Sequence, residues 1–389
     1  MSHIDKLIAD LCPNGIEFIK IEDLFDLKNG YTPSKSNSSF WENGTVPWFR
    51  MEDIRTNGRV LSHSLQQISE SGVKGGKLFP PNSLLVATSA TIGEHALITV
   101  PHLSNQRFTS LSVKHKWTDQ VDIKFLYHYA FILDKWCRAN TTTSSFSSVD
   151  MTGFKNFPIP IPPLEVQREI VRVLDKFTQL EAELEAELEA RRRQYDMARR
   201  TLLGKCKKSP ILSLGKACAI KAGNLISKSV IEKSPGPYPV INSGREPLGF
   251  TSLYNTEDNP LGITSRGAGV GSVTWCLGRY FRGSLNYSVT IREPRILDTR
   301  FLFHTLNEYQ KEIKSLCTFE GIPALNKKNL EKLEIPAPSL DIQKEVALTL
   351  DKLEVFVNDL SVGLPAELAA RRKQYEYYRD RLLTFEEKR

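Results

Sequence analysis

Two stretches of the chain carry the spacing of an amphipathic helix. Val166, Ile170, Leu174, Phe177, Leu180, Leu184 and Leu188 step by 4, 4, 3, 3, 4 and 4, which keeps one apolar stripe on a helix of about 3.6 residues per turn. Ile342, Val346, Leu350, Leu353, Val357, Leu360, Leu364 and Leu368 form a second stripe. A mean step of about 3.6 to 3.7 predicts straight or slightly right-handed pairing, not a strict heptad supercoil. The prolines of PIPIPP (158–163) and IPAP (335–338) disfavour helix ahead of each stripe and mark its start. The first helix is expected over 164–203, about 60 Å of rod. In the second, Gly363 and Pro365 of SVGLPAE (361–367) predict a break, hence two helices. Elsewhere the apolar runs shorten to strand length between polar loops, as in VPWFRMEDI (46–54), ATSATIGE (87–94) and YPVINSGREPLGF (238–250). Mixed α/β blocks are expected there.

The pattern repeats. FPIPIPPLEVQREIVRVLDKF (157–177) lies over LEIPAPSLDIQKEVALTLDKL (333–353) at a constant offset of 176, with 9 of 21 positions identical, more than chance gives. The same offset pairs DIKFLYH (122–128) with DTRFLFH (298–304). EARRRQY (189–195) matches AARRKQY (369–375) at 180, and LKNGYTPSK (27–35) resembles IKAGNLISK (220–228) at 193. Each half is thus a variable block followed by a similar charged helical block. Two like helices at homologous places most easily bury their stripes on each other, antiparallel. The expected fold class is α+β: two similar mixed α/β domains at opposite ends of an antiparallel pair of long helices, a pseudo-twofold dumbbell. The pairing residues would be Val166, Ile170, Leu174, Phe177, Leu184 and Leu188 on one side. On the other they would be Ile342, Val346, Leu350, Leu353 and Leu360.

Composition narrows the class. The 389 residues suggest two to four domains, and a formal charge of +7 is mildly basic. No apolar run approaches the roughly 18 to 20 residues of a membrane span, and MSHIDKLIAD lacks a basic region followed by an apolar core. A cytoplasmic protein is expected. The six cysteines are scattered, without a CxxC pair or zinc-ligand spacing, and read as reduced packing residues.

Catalytic signatures are missing. The Pro-Pro pairs sit in FPPN (79–82) and IPPL (161–164), not in the Pro-Pro-aromatic tetrapeptide of amino-methyltransferases. GVKGGKL (72–78) lacks the spacing of a phosphate-binding loop, and SRGAGVGS (265–272) fails the dinucleotide pattern. Asp122 and Asp298 stand at matching places before helix-like segments and read as N-caps rather than metal ligands. His128 and His304 recur as a structural pair, and no triad or metal site is expected. The loops instead carry Lys and Arg, which meet phosphates, and Arg, Asn and Gln, which offer bidentate partners to guanine and adenine edges.

At this point the chain resembles the specificity subunit of a type I restriction-modification enzyme, over essentially its whole length. The residues that carry the likeness are TQLEAELEAELEARRRQYDMARRTLL (178–203), the preceding IVRVLDKF, and GLPAELAARRKQYEYYRDRLL (363–383). They are similar to a subclass with a tandem tetrapeptide in its central helix, and GYTPSK and FWENGTVPWF (40–49) resemble a recurring target recognition domain.

The resemblance implies target recognition domains at 1–156 and 206–332, and helical spacers at 157–205 and 333–389. Each domain would read half of an asymmetric, bipartite double-stranded DNA site. The chain would be non-catalytic alone and would hold no cofactor or metal. Two methyltransferase subunits would dock on it, two motor-nuclease (restriction) subunits could then join, and S-adenosylmethionine, ATP and Mg would belong to those partners.

With that implied function, residue chemistry nominates Lys28, Thr32, Ser34, Lys35, Arg50, Ser89, Thr91, Asn105, Gln106 and Arg107 in the first block as DNA contacts. The second offers Lys221, Asn224, Lys228, Asn242, Arg245, Arg266, Asn286 and Tyr287. Two competing classes remain open on the residues alone: a stand-alone metal-dependent nuclease, and a coiled-coil adaptor indifferent to DNA.

Overall fold

Just past Pro162 and Pro163 the chain enters a single helix, Leu164–Cys206, of 43 residues and about 65 Å. The second helical region is two helices, Leu340–Asn358 and Leu364–Leu382. The later one starts beside Gly363, whose φ of 79° suits glycine, and takes Pro365 in its first turn, where a missing N–H costs nothing. The computed structural model describes residues 3–142, 147–244, 246–358 and 363–388. They divide into two units, Met1–Glu183 with Ala369–Arg389, and Leu184–Leu368. The long helix gives its first part to one unit and its second part to the other.

In the first unit a five-stranded sheet runs Phe25–Asn29, Phe108–Val113, Ser83–Ala87, His95–Ile98, Val60–Leu61. Strands Ser83–Ala87 and His95–Ile98 are mostly apolar and buried along their whole length, because both faces are covered. Alternation along a strand divides them. Leu84, Val86, Leu97 and Leu111 face the core shared with helix Ile123–Ala139 and with Val166, Ile170 and Leu174. Leu85, Ala87, Ala96, Ile98 and Phe108 face a second core with Trp48 and Phe49, which belong to a three-stranded sheet ordered Gln67–Ile68, Val46–Phe49, Leu103–Ser104.

The second unit repeats this plan. Its four-stranded sheet runs Cys218–Ala222, Asn286–Ile291, Leu261–Thr264, Val273–Trp275, and its three-stranded sheet Phe250–Thr251, Tyr238–Ile241, Phe281–Arg282. Register makes the equivalence explicit. Lys28 pairs with Ser110 and Ser110 with Leu85; Lys221 pairs with Ser288 and Ser288 with Gly262. In the first unit, helix Met51–Asn57 and strand Val60–Leu61 follow Val46–Phe49. After Tyr238–Ile241 the second unit passes to Phe250–Thr251 with neither among the described residues, which accounts for much of its smaller size.

The repeated DIKFLYH and DTRFLFH are matching helix starts. Asp122 accepts the Lys124 N–H at 2.8 Å, and Asp298 accepts those of Arg300 and Phe301 at 2.9 and 2.8 Å, so both act as N-caps. A buried glutamine holds each start in place. Gln167 accepts the Asp122 N–H at 2.8 Å and donates to Pro162 and Gln120 carbonyls at 2.7 and 2.8 Å. Gln343 accepts from Asp298 at 2.8 Å and donates to Pro338 and Ile296 at 2.7 and 2.8 Å. Removing either amide leaves buried groups unpaired. Gln343→Leu is expected to destabilise the second unit by about 1–3 kcal/mol, read as a lower urea midpoint with unchanged slope.

The apolar stripes require one correction. Val166, Ile170 and Leu174 bury in the first unit's core, and Val346 and Leu350 in the second's, so over these stretches each stripe faces its own block rather than the other stripe. Ile342 is 46% exposed and joins neither core; Leu360 lies outside the described residues. Leu188 is buried and Leu184 and Leu353 half-buried. Antiparallel helix pairing does occur within the first unit. Phe177 stacks on Tyr378 at 5.4 Å, and one turn further on Glu181 pairs with Arg372 at 2.6 Å. Residue numbers therefore rise on one helix as they fall on the other.

Candidate nucleic-acid interface

The first unit carries a cleft of about 960 Å³. It gathers six nominated residues, Thr32, Lys35, Arg50, Asn105, Gln106 and Arg107, and adds Ser38, Trp41, Glu42, Trp48, Glu52, Arg55 and Gln66, among others. Four cationic side chains face two carboxylates there, a balance that favours an anionic partner.

Local hydrogen bonds hold these groups. Trp48, buried on its strand, donates its indole N–H to Tyr31 at 2.9 Å, and Trp41 meets it edge-on at 5.1 Å. Fully buried Asp53 accepts the Arg50 N–H at 2.7 Å and the Leu65 N–H at 2.6 Å, fixing the start of helix Met51–Asn57. Thr32 donates to Gln106 at 2.6 Å, while Asn105 turns its own loop by accepting the Arg107 N–H at 3.1 Å. Gly30 lets the loop lie close: a Cβ there would stand 2.1 Å from the Asn105 carbonyl oxygen.

The other four candidates of this block lie outside the cleft lining. Lys28 is exposed on its strand and Ser34 hydrogen-bonds Ser36 at 2.8 Å. Ser89 bridges to Ser148, and the Thr91 N–H bonds the Ser89 carbonyl at 2.9 Å. Sequence reading did not nominate Trp41, Trp48, Glu52, Arg55 or Gln66. The available signal was a tryptophan pair just ahead of a short helix with arginine near each end.

In the second unit Lys221, Asn224, Lys228 and Arg266 are exposed, and Arg266 bridges to Ala324 where Ser89 bridges to Ser148 in the first. Three candidates point inward instead. Asn242 accepts the Leu285 N–H at 3.0 Å, the Tyr287 hydroxyl donates to Leu325 at 3.2 Å, and Asn286 is fully buried. Asn286 accepts from Arg282 at 2.5 Å and donates to Thr274 at 3.1 Å, and its complete burial keeps the amide from any base edge. Arg245 lies outside the described residues.

Arg282 is the inside counterpart of these polar groups. It is 3% exposed and donates to Tyr280, to the Asn259 carbonyl at 2.7 Å and to the Tyr287 carbonyl at 3.1 Å. Burial lowers its pKa. By register Gly262 stands where Leu85 stands in the first unit, and a Cβ on it would meet Arg282 Nη1 at 2.2 Å. A glycine therefore makes the room for a buried guanidinium where the first unit packs leucine.

The histidines pair as the repeat suggests. His128 Nε2 meets Asp175 at 3.0 Å and His304 Nε2 meets Asp351 at 2.7 Å. Burial lowers both histidine pKa values, outweighing the carboxylates, while the His128 hydrogen bond lowers that of Asp175. Among the described residues, His304, Asp351 and Glu354 could converge on a metal ion. Arg300 already satisfies that charge, with Nε on Asp351 at 2.5 Å and Nη2 on Glu354 at 2.6 Å. The arrangement is an ion-pair clamp between helices Thr299–Glu308 and Leu340–Asn358, and it gives no support to a metal nuclease.

Comparison with known proteins agrees with this geometry. Residues 13–190 and 208–370 match the family described as the type I restriction modification DNA specificity domain. The type I restriction enzyme EcoprrI specificity subunit of Escherichia coli is 42% identical over 382 residues, covering 93% of this chain and 92% of that one. The EcoR124I/EcoR124II specificity subunit, also from Escherichia coli, is 31% identical over 295 residues, 68% of this chain and 71% of that one. A crystal structure of the type I restriction-modification system S subunit from M. genitalium superposes with a TM-score of 0.58 over 95% of this chain and 96% of that one, at 18% identity, a likeness of fold.

This chain belongs to the DNA specificity family of type I restriction-modification systems. It has the mixed helix-and-strand architecture, two domains and long helix expected of such a subunit, whose role is recognition rather than catalysis. Among the described residues no helix is long and apolar enough to cross a membrane.

Proposed function

We propose that each unit reads one half of a split, asymmetric DNA sequence, and that the reading residues are the exposed loop groups described above. The observation that carries this is the repetition of one framework, four strands of the larger sheet and all three of the smaller in matching order, under unlike loops. A shared framework keeps the two domains functionally alike, and different loops make the half-sites differ. The division into recognition domains at 1–156 and 206–332 and helical spacers at 157–205 and 333–389 belongs to this proposal. So does docking of two methyltransferase subunits, with motor-nuclease subunits joining them and S-adenosylmethionine, ATP and Mg held by those partners in the cytoplasm.

Within the proposed contact set, Lys28, Thr32, Ser34, Lys35, Ser89, Thr91, Lys221 and Lys228 would anchor phosphates. Arg50, Asn105, Gln106, Arg107, Asn224, Arg245 and Arg266 would approach base edges. Asn242, Asn286 and Tyr287 would serve by shaping the second unit's loops. Binding of a duplex carrying the methylated sequence, with the full complex, is expected to weaken steeply between 50 and 200 mM salt, by about 10³-fold or more if at least six phosphates are met. An affinity independent of salt would favour the adaptor reading.

The tandem LEAE units of 180–187 lie in the long helix. Deleting one removes about 6 Å of helix and rotates the flanking parts by a net of about 40°, set against roughly 3.4 Å per base pair. Loss of 180–183 is expected to shift the gap between methylated half-sites by one or two base pairs. Mapping the methylated sequence checks it, and an unchanged gap would refute the spacer role.

A further inference from the structure

Among the cations of the first unit's cleft, Arg50 is held in a way that suits reading rather than anchoring. Its backbone N–H is fixed on buried Asp53 at 2.7 Å. Its guanidinium lies over the Trp48 ring, 5.6 Å from the centroid, and its Nη2 meets Glu52 at 3.3 Å. The side chain is only 31% exposed and Nε is buried, so the end of the fork is the part presented to the cleft. Trp48 is in turn fixed through its bond to Tyr31.

Ordering a free arginine on a base costs side-chain entropy, up to about 1.5–2 kcal/mol; here folding has already ordered it. A planar guanidinium presented end-on with two donors matches the O6 and N7 acceptors of guanine in the major groove. Lysine could not reproduce that fork.

We propose that this cleft reads a G·C pair in the half-site bound by the first unit, with Arg50 as the reading group and Glu52 and Trp48 as the residues that position it. The proposal rests on the DNA-reading function above and deepens it by naming a base and the groups that select it.

The test uses the full chain expressed with its methyltransferase partner in a host whose chromosome is then mapped for methylated bases. Arg50→Ala is expected to make one position of one half-site degenerate, a position that is G·C for the unaltered chain, with discrimination there falling about 5- to 150-fold. Arg50→Lys, which keeps charge and stem but loses the planar fork, should relax the same position and decides the matter if Arg50→Ala does not fold. Glu52→Gln should relax that position to a smaller degree. Lys35→Ala should lower methylation at all sites without changing the sequence.

Arg50 variants that lower methylation evenly at every site would make Arg50 a phosphate anchor and overturn the proposal while leaving DNA reading intact. A relaxed position that is A·T would overturn it equally. An unaltered chain that yields no defined methylated sequence would overturn the reading of DNA itself.

Discussion

A chain shortened to end at Leu368 is expected to lose the folded first unit while the second still unfolds cooperatively. The reason lies in what 369–388 supply. Leu383 is 1% exposed in the first unit's core, and Phe385 packs against that core. Tyr378 stacks on Phe177 at 5.4 Å, the Tyr375 hydroxyl lies 3.2 Å from His128 Nδ1, and buried Arg379 sits 4.5 Å over the Phe131 ring. Each large apolar side chain so buried stabilises by about 1.5–3 kcal/mol. Three or four of them approach the 5–15 kcal/mol margin of a typical domain. The second unit is made of Leu184–Leu368 alone and loses nothing. Calorimetry of the shortened chain should show one transition in place of two, with hydrogen exchange fast in 18–160 and slow in 211–336. Two intact transitions would mean that these contacts are dispensable.

Gly30→Ala is expected to abolish recognition of one half-site, and Gly223→Ala that of the other. A Cβ at position 30 would lie 2.1 Å from the Asn105 carbonyl oxygen and 2.4 Å from Ser104 Oγ; at position 223 it would lie 2.3 Å from the Arg282 carbonyl oxygen. These obstacles are mainly backbone, so relief requires moving the strand and the loop after it. Overpacking of this kind costs about 1–3 kcal/mol, which a folded unit can survive. Recognition is less tolerant, since groups displaced by more than about 0.5 Å lose productive geometry. Thermal unfolding should therefore fall by only a few degrees while sequence-specific methylation by the complex disappears. Retained methylation at the original sequence would show that the loop does not depend on this close approach.

Long-range features were legible in the sequence where they leave a local or periodic mark. The stripe beginning at Val166, the prolines ahead of Leu164, the Gly363–Pro365 break and the Asp122 and Asp298 caps all act within a turn or two of chain, and each is where it was expected. The offset of 176 also carries a three-dimensional meaning: His128 and His304, Asp175 and Asp351, and Gln167 and Gln343 make the same bonds in their own units. What escaped depends on distant partners. A glutamine on an apolar stripe reads as an interruption until the N–H it satisfies, 45 residues away, is known.

Polarity likewise misled at Asn286. A polar residue between short apolar runs suggests a solvated turn, but Gly262, 24 positions earlier, opens a space that Arg282 and Asn286 fill together. In the first unit the cleft joins segments from Thr32 to Arg107 through pairing between strands. Six members could be nominated by residue type. Trp41 and Gln66 needed the fold to bring them there.

The division of the chain also orders its birth. On a ribosome the second unit has every residue it needs once Leu368 has been translated and cleared the exit tunnel, although its synthesis begins only after Glu183. The nascent first unit, begun earlier, must wait with Phe177 incompletely covered until residues 369–388 emerge. The part begun first is thus the part that waits longest for its final contacts, and it is the one a chaperone would need to guard.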